Sequence, residues 1–250
     1  MSRLAAPLVF LLAAACATTP PEPSNLHILQ DADREFVLEQ YLQAAGHYEA
    51  FLGYNSESPL KAQIRVMAGR AYLGAGRADQ AIMAFDRAIS EAPAPAVRWD
   101  AVFHRAVAYR LKGEISRAVD AFRSVATAPA GERGGSVTHD ELHYEFAMAL
   151  FRVGDWRGGQ GELALVGPRG PFASKARVRL GLNSFAVQIG AFADEARARL
   201  EAERSKGIVR VLPGEKALFV VAYGSFARYE DAQREADRLK RQFPDAFVIP

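Results

Sequence analysis

The sequence predicts two folded units, an all-α array of helical repeats followed by a small α+β domain with the element order βαββαβ. The first prediction rests on a stretch that repeats itself at an interval of 37 residues, from Ala81 to Ala118. The second rests on four short apolar segments near the end of the chain, which two charged segments separate. A chain of 250 residues is long enough for two such domains.

The first fifteen residues are typical of a targeting segment. Arg3 provides a positive start, and the apolar run that follows is too short to cross a bilayer, which takes about 20 residues. Three alanines then precede Cys16, the only cysteine of the chain. The pattern resembles a bacterial lipoprotein signal, which implies that Cys16 is lipidated and becomes the first residue. The alternative is an ordinary secretory signal cut after Ala15, and both readings export the protein.

The resemblance also predicts where the protein is attached. A fully acylated cysteine gives lasting membrane attachment, whereas one acyl chain alone is marginal. Because Ala17 is not an aspartate, the sorting pattern favours the periplasmic face of the outer membrane. We therefore expect a signal peptide over residues 1–15 and a lipidated, proline-rich flexible tether over residues 16–30.

Residues 31–171 contain the internal repeat. Four positions match across the 37-residue interval, and they pair Tyr72 with Tyr109, Gly76 with Gly113, Ala81 with Ala118, and Phe85 with Phe122. A weaker copy follows over residues 150–166, and an earlier half copy covers residues 44–51. In each copy a glycine would turn the chain between two antiparallel helices, and a small alanine would let them cross closely.

This pattern resembles tetratricopeptide (TPR) repeats, whose period is about 34 residues. The resemblance implies a stacked array that binds a protein partner in a groove lined by the first helix of each pair. The predicted groove residues are Arg70, Leu73, Phe103, Val107 and Arg110. The two arginines would hold a partner carboxylate; the alternative is that they are solvated surface side chains. Residues 172–182 are expected to form a capping helix or linker.

The last quarter of the chain reads as strand, helix, strand, strand, helix, strand. Alternation within the strands places Val187 and Ile189 on one face and Gln188 on the other. Two related motifs, Gln188–Phe192 and Ala222–Phe226, each end in a glycine, a small residue and a phenylalanine. We expect a parallel or mixed sheet that carries both helices on one face and leaves the other face open.

These two motifs in this order resemble a SPOR (sporulation-related repeat) domain, here over residues 184–250. The resemblance implies a ferredoxin-like or RNP-like fold that binds peptidoglycan glycan strands stripped of their peptides, as found at division septa. The glycan-binding residues implied on the open face are Gln188, Ala191, Arg210, Leu218 and Val220. Family members often carry serine at the position of Ala191, and an aromatic and an arginine at those of Leu218 and Val220. The alternative for Gln188 is an ordinary exposed strand residue.

Other chemistry finds little support in the sequence. A net charge of +2 and the lack of a long basic stretch argue against nucleic acid as a partner. His139 and His143 have the spacing of a zinc peptidase motif, but Asp140 occupies the place of the catalytic glutamate. We expect instead that the two histidines are solvated side chains at the start of a helix. We therefore expect no enzyme, no catalytic residues, no metal and no cofactor.

The sequence thus predicts a lipid-anchored envelope protein, enriched at the septum, with a glycan-binding domain and an array for an unidentified protein partner. The alternative is an outer-membrane assembly or scaffold lipoprotein in which the SPOR-like domain is only structural.

Overall fold

A computed structural model describes residues 25–134, 137–212 and 217–249. The predicted signal peptide and Cys16 lie outside the described residues. In the described part of the chain, a run of helices precedes a small domain of four strands and two helices. This confirms the fold class, an all-α array followed by an α+β domain.

The helices of the array pack as successive antiparallel pairs. Their bounds are α1 (Leu26–Val37), α2 (Tyr41–Tyr54), α3 (Lys61–Gly74), α4 (Ala78–Glu91), α5 (Pro95–Lys112), α6 (Ile115–Thr127), α7 (His139–Arg152) and α8 (Trp156–Ala164). The first helix thus begins inside the segment expected to be a tether. A short helix, α9 (Ala173–Arg179), follows and leads into the second domain.

The repeat extends one step further towards the start of the chain than the sequence suggested. Ala44 and Tyr48 lie 37 residues before Ala81 and Phe85, and all four side chains are fully buried. The predicted half copy is therefore the second helix of a complete pair, α1 and α2. Its first helix was missed because Glu39 occupies the turn position that glycine holds at Gly76, with a positive φ of 59°.

The fourth helix pair, α7 and α8, also has a small residue where its helices cross, but this residue is a glycine instead of an alanine. A Cβ atom on Gly159 would lie 2.3 Å from the ring of Phe151, so no side chain fits between these helices. Leu163, at 1% exposure, takes the place that a buried aromatic holds in the earlier pairs. The weaker sequence copy over residues 150–166 therefore belongs to a packed helix pair.

The second domain is a four-stranded sheet with two helices on one face. Its elements are β1 (Phe185–Phe192), α10 (Glu195–Ser205), β2 (Ile208–Leu212), β3 (Leu218–Phe226), α11 (Tyr229–Leu239) and β4 (Phe247–Ile249). The strand order is β2-β3-β1-β4, and every neighbouring pair is antiparallel. The expected parallel or mixed sheet was wrong, because β3 inserts between the parallel strands β1 and β2.

The core of this domain lies between the sheet and its helices. Val187, Ile189 and Val221 are buried against Ala198 of α10 and Ala236 of α11. Phe219 and Tyr223 of β3 pack against the same cluster. The opposite face of the sheet carries no helix from within the domain.

A β-bulge in β1 changes which residues share a face. Gln188 pairs with Ala222 and Ala191 pairs with Val220, and the pairing shifts between Gln188 and Gly190. Residues opposite each other in a sheet share a face, and Ala222 and Val220 are two residues apart on one strand. Gln188 and Ala191 therefore share the face away from the helices, although strict alternation would separate them.

Each glycine of the two related motifs leaves room for the phenylalanine ring two residues later. A Cβ atom on Gly190 would lie 2.8 Å from the ring of Phe192, and one on Gly224 would lie 2.5 Å from the ring of Phe226. Gly224 also has a positive φ of 73°. Both strands continue through the glycine to the phenylalanine.

Within the described residues, no helix combines the length and the apolar character that a membrane span requires.

Candidate functional site

A cleft of about 670 Å³ lies between the open face of the sheet and helix α9. Gln188 of β1, Val220 of β3 and Ile249 of β4 line the sheet side, and Val178 lines the helix side. Its lining is mainly apolar, with a few polar groups, which is the usual character of a ligand site. The open face predicted from the sequence is therefore one wall of a cleft rather than a flat surface.

Three of the five predicted glycan-binding residues line this cleft, namely Gln188, Arg210 and Val220. Ala191 and Leu218 lie on the same face of the sheet by register but outside the cleft lining. Val220 is 1% exposed, so it forms the floor of the cleft and offers little surface to a ligand.

Phe247 is a cleft residue that the sequence analysis missed. It lies directly opposite Gln188 in the pairing of β1 with β4, and it is 49% exposed. Members of the family resembled carry an aromatic on the third strand, at a position that is aliphatic here. In this chain an aromatic ring lies instead on β4, which pairs with β1 and not with the third strand, and only that pairing brings the ring beside Gln188.

Arg210 lies beside Val220 in the pairing of β2 with β3. Partial burial lowers the pKa of its guanidinium group from the ordinary value, because a low-dielectric surrounding disfavours the charge. The arginine keeps its charge, since that pKa starts far above neutral pH. The cleft therefore carries a partly desolvated cation on its sheet wall.

An aromatic cluster joins the last helix pair to the second domain. Trp156 of α8 stacks on Phe151 and packs edge-on against Phe185 of β1, with ring centroids 4.8 and 4.7 Å apart. Its indole nitrogen donates to the carbonyl of Ala227 at 3.1 Å. The guanidinium of Arg152 lies 3.4 Å from the ring centre of Tyr229. The two domains are therefore packed together rather than tethered.

Gln160 of α8 fixes the segment that carries α9 into β1. Its amide nitrogen donates to the carbonyls of Arg179 and Leu182, at 2.9 and 2.8 Å. Its amide oxygen accepts from the backbone nitrogen of Gly181 at 2.9 Å. One side chain thus makes three hydrogen bonds to the backbone that positions the helix wall of the cleft.

The first helices α3, α5 and α7 contact one another in succession and line the inner surface of the array. Arg70 lies on this surface, with its guanidinium 5.5 Å from the ring centre of Phe36. In the described part of the chain, no carboxylate lies within ion-pair distance of Arg70. Arg110 is different, because its guanidinium pairs with Glu145 of α7.

Of the three apolar groove residues, Phe103 does not reach the surface. It is 0% exposed and packs edge-on against Phe122, so it belongs to the core between helix pairs. Leu73 and Val107 are partly buried against the same core. Arg70 therefore stays a candidate for partner binding, whereas Phe103 has a packing role.

Glu141 also lies at the start of α7, near Arg70 and His104. Its backbone nitrogen donates to the side chain of Thr138, which caps the helix. Burial raises the pKa of the Glu141 carboxyl above its ordinary value, and the cations nearby offset only part of that effect. The inner surface thus combines Arg70 with a partly desolvated acid.

Comparison with known protein families assigns both parts of the chain. A model of the SPOR domain matches residues 181–250, and a model of the tetratricopeptide repeat matches residues 29–96 and 66–132. The chain carries a SPOR domain behind tetratricopeptide repeats. The cleft thus lies on the sheet of the SPOR domain, and α9 belongs to neither matched region.

Solved structures resemble the TPR array. TPR-like repeats of a kinesin light chain protein from Podosopora anserina superpose with a TM-score of 0.51 at 17% identity, over 65% of this chain and 86% of that one. The protein MamA gives 0.48 at 16% identity, over 61% and 81% of the two chains. A tetratricopeptide repeat protein from Parabacteroides merdae gives 0.49 at 12% identity, over 88% and 67%. No curated protein matches the chain.

SPOR domains and TPR repeats are binding and scaffold modules, and the histidine pair fits that description. The Nδ1 atom of His143 lies 2.6 Å from a carboxylate oxygen of Glu162, and the ring is 7% exposed. Asp140 accepts a hydrogen bond from the backbone of Gly167 at 3.0 Å. Among the described residues, no three His, Cys, Asp or Glu side chains are grouped to hold a metal ion. His143 is thus a buried bridge between α7 and α8, rather than a solvated histidine.

Proposed function

We propose that this protein binds peptidoglycan through its SPOR domain and holds a partner protein in the groove of its TPR array. The observation that carries the proposal is the cleft on the sheet of the SPOR domain, where Gln188 and Phe247 lie side by side. The ligand is a glycan strand that lacks stem peptides, and the place of action is the division septum.

The side chains of the cleft suit a sugar chain. The amide of Gln188 can donate to and accept from hydroxyl groups. The half-exposed ring of Phe247 offers an apolar surface for the C–H face of a sugar ring, and Ile249 extends that surface. A concave, mainly apolar site with few polar groups binds such a ligand by shape and by hydrogen bonds.

A lipid anchor on Cys16 would hold the protein on the periplasmic face of the outer membrane, where it could reach the cell wall. The alanine run before the only cysteine of the chain supports this proposal. Radiolabelled palmitate should label the wild-type protein and leave Cys16→Ser unlabelled. Equal labelling of both would show that the cysteine is not the acceptor.

The array would present Arg70 to a carboxylate of the partner protein. The position of this arginine on the inner surface supports the proposal, and no carboxylate of the described chain lies within ion-pair distance of it. Both modules bind rather than catalyse, so we propose no enzymatic activity.

The aromatic junction supports a second function, that of an assembly scaffold whose SPOR domain is structural. The domain covers Trp156 and Phe151 at the end of the array, as a capping unit of a repeat protein would. In that case the array alone would bind a partner in the outer membrane.

Sedimentation with purified peptidoglycan separates the two functions. The glycan proposal expects Gln188→Ala to reduce co-sedimentation with denuded strands and to weaken septal enrichment of a fluorescent fusion. Gln242→Ala is the matched control, since Gln242 is exposed beyond α11 and outside the cleft lining. If Gln188→Ala and the wild type bind and localise equally, the scaffold function is favoured.

A further inference from the structure

Helix α9 forms a wall of the cleft although it precedes the matched SPOR region. Ser174, Lys175, Val178 and Arg179 line the cleft opposite the sheet, while the match begins at residue 181. The site in this protein is therefore a composite, built by the SPOR sheet and a helix that belongs to the junction with the array.

The position of α9 is held from the side of the array. Gln160 binds the carbonyls at the end of the helix, and Ala176 is 3% exposed. Phe172, which precedes the helix, packs on Tyr144 with ring centroids 5.2 Å apart. The side chains that α9 directs into the cleft are therefore placed by packing against α7 and α8.

The charge of this wall is strongly one-sided. Between Glu162 and Asp194 the sequence contains no acidic residue but four basic ones, Arg169, Lys175, Arg177 and Arg179. The cleft lining repeats this bias, since its charged residues in the described chain are Lys175, Arg179 and Arg210, with no carboxylate. Two cations of α9 on one wall, Lys175 and Arg179, with no carboxylate in the described lining, favour a ligand that brings negative charge.

The two cations that α9 contributes to the cleft, Arg179 and Lys175, differ in their contacts. Arg179 donates to the backbone carbonyl of Lys175 at 3.0 Å, and its guanidinium lies 5.7 Å from the ring centre of Tyr144. These contacts give Arg179 a structural role. Lys175 lines the cleft and is exposed, and its ammonium group lies 5.4 Å from the ring centre of Phe172. Lys175 is therefore the cation best placed to meet a ligand.

A glycan strand without stem peptides offers the matching anion. In an intact strand the lactyl carboxyl of each N-acetylmuramic acid forms an amide with the peptide and is neutral. Hydrolysis of that amide adds water across the C–N bond, releases the peptide amine and leaves a carboxylate on the sugar. The removal of peptides thus converts a neutral glycan into one with a negative charge on every second sugar.

We propose that Lys175 of α9 pairs with this free lactyl carboxylate and so makes the cleft selective for strands without peptides. The inference rests on the proposed glycan function and adds a source of selectivity that lies outside the SPOR domain. Apolar contacts with Phe247 and Ile249 would hold the sugar rings, and Lys175 would distinguish the acid from its amide.

The test uses the full chain and three oligosaccharides of equal length. These are denuded glycan with free lactyl carboxylates, the same glycan with each carboxylate converted to a methylamide, and a chitooligosaccharide. We expect the wild type to bind the carboxylate form about two- to fivefold more tightly than the methylamide, as one ion pair to an exposed lysine would give. Lys175→Gln should remove this preference and leave the affinity for the methylamide unchanged.

Arg177→Gln provides the control, because Arg177 is exposed on the same helix but does not line the cleft. It should keep the wild-type preference. Equal wild-type affinity for the carboxylate and methylamide forms would overturn the role of Lys175 while the glycan function stands. An equal loss of affinity for both forms in Lys175→Gln would overturn that role as well. Failure of the wild type to bind any of the three would overturn the glycan function and this inference together.

Discussion

The indole of Trp156 and the ring of Phe185 meet edge-on, with centroids 4.7 Å apart and planes inclined by 61°. Trp156 belongs to the last helix of the TPR array, and Phe185 is the first residue of the SPOR sheet. Phe185 also packs edge-on against Tyr229 of α11. This contact makes the two domains one packed unit and brings α9 alongside the sheet.

Replacement of Trp156 by alanine should uncouple the domains. We expect a loss of about 3 kcal/mol in the free energy of unfolding, at the lower end for aromatic deletions because the indole is only half-buried. Chemical denaturation followed by circular dichroism should show one transition in the wild type and two in the variant. Trp99→Ala, which changes a half-buried tryptophan within the array, should keep one transition. A single transition in Trp156→Ala would mean that other contacts couple the domains.

The three backbone hydrogen bonds of Gln160 predict a second effect. Gln160→Leu preserves most of the volume but leaves the carbonyl of Leu182 and the amide of Gly181 without this partner. We expect a cost of about 1–3 kcal/mol and faster hydrogen exchange at the amide of Gly181. Gln160→Glu keeps the oxygen that accepts from Gly181, so the backbone amide of Gly181 should exchange more slowly in this variant than in Gln160→Leu. Unchanged exchange in Gln160→Leu would contradict the role assigned to this side chain.

The turn of the first helix pair offers a stabilising substitution. Glu39 has a positive φ of 59° where the next pair has Gly76 with 71°. A left-handed conformation costs a non-glycine residue about 1–2 kcal/mol, which exceeds the entropy that glycine loses on folding. Glu39→Gly should therefore raise the free energy of unfolding by up to about 1 kcal/mol.

Gly76→Ala is the converse experiment. A Cβ atom at this position would meet nothing within 4 Å, so the substitution tests the backbone conformation alone. It should lower the free energy of unfolding by about 1 kcal/mol, measured by urea denaturation. The changes in the free energy of unfolding should have opposite signs in the two variants. A destabilised Glu39→Gly would show that contacts of the glutamate side chain outweigh the strain of its backbone.

The partly buried carboxyl of Glu141 predicts a pH dependence. Its raised pKa means that the folded protein holds this proton more tightly than the unfolded chain does. Stability should therefore fall as the pH rises from the ordinary carboxyl pKa through the raised one. Glu141→Gln removes this loss, so its melting temperature should exceed that of the wild type at pH 7.

The difference should disappear below about pH 4, where the carboxyl is protonated in both states. Thermal melts of the two proteins between acidic and neutral pH check the prediction. A less stable Glu141→Gln at pH 7 would mean that attraction to Arg70 and His104 outweighs burial.

The sequence predicted much of the array because its turns and crossings are local. The interval from Ala81 to Ala118 and the glycines at the turns define helix pairs without knowledge of the tertiary structure. The first pair was seen only in half, because Glu39 adopts a conformation that the sequence pattern assigns to glycine. A non-glycine residue with an unfavourable φ leaves no local signal.

The candidate site was less predictable, since its parts come from distant segments. Alternation identified Gln188 on the open face, but the bulge that brings Ala191 to that face depends on pairing with β3. The place of Phe247 beside Gln188 depends on pairing with β4. The helix wall with Lys175 depends on packing of α9 against α8. None of these contacts can be read from local patterns.

The position of the glycan on the protein tests the central claim most directly. Backbone amide NMR spectra of the full chain can be recorded with and without a denuded glycan oligosaccharide. We expect shifts at Gln188, Phe247 and Lys175, with α10 and α11 unaffected because they lie on the other face of the sheet. Shifts confined to the helical face or to the TPR array, or no shifts at saturating glycan, would contradict it.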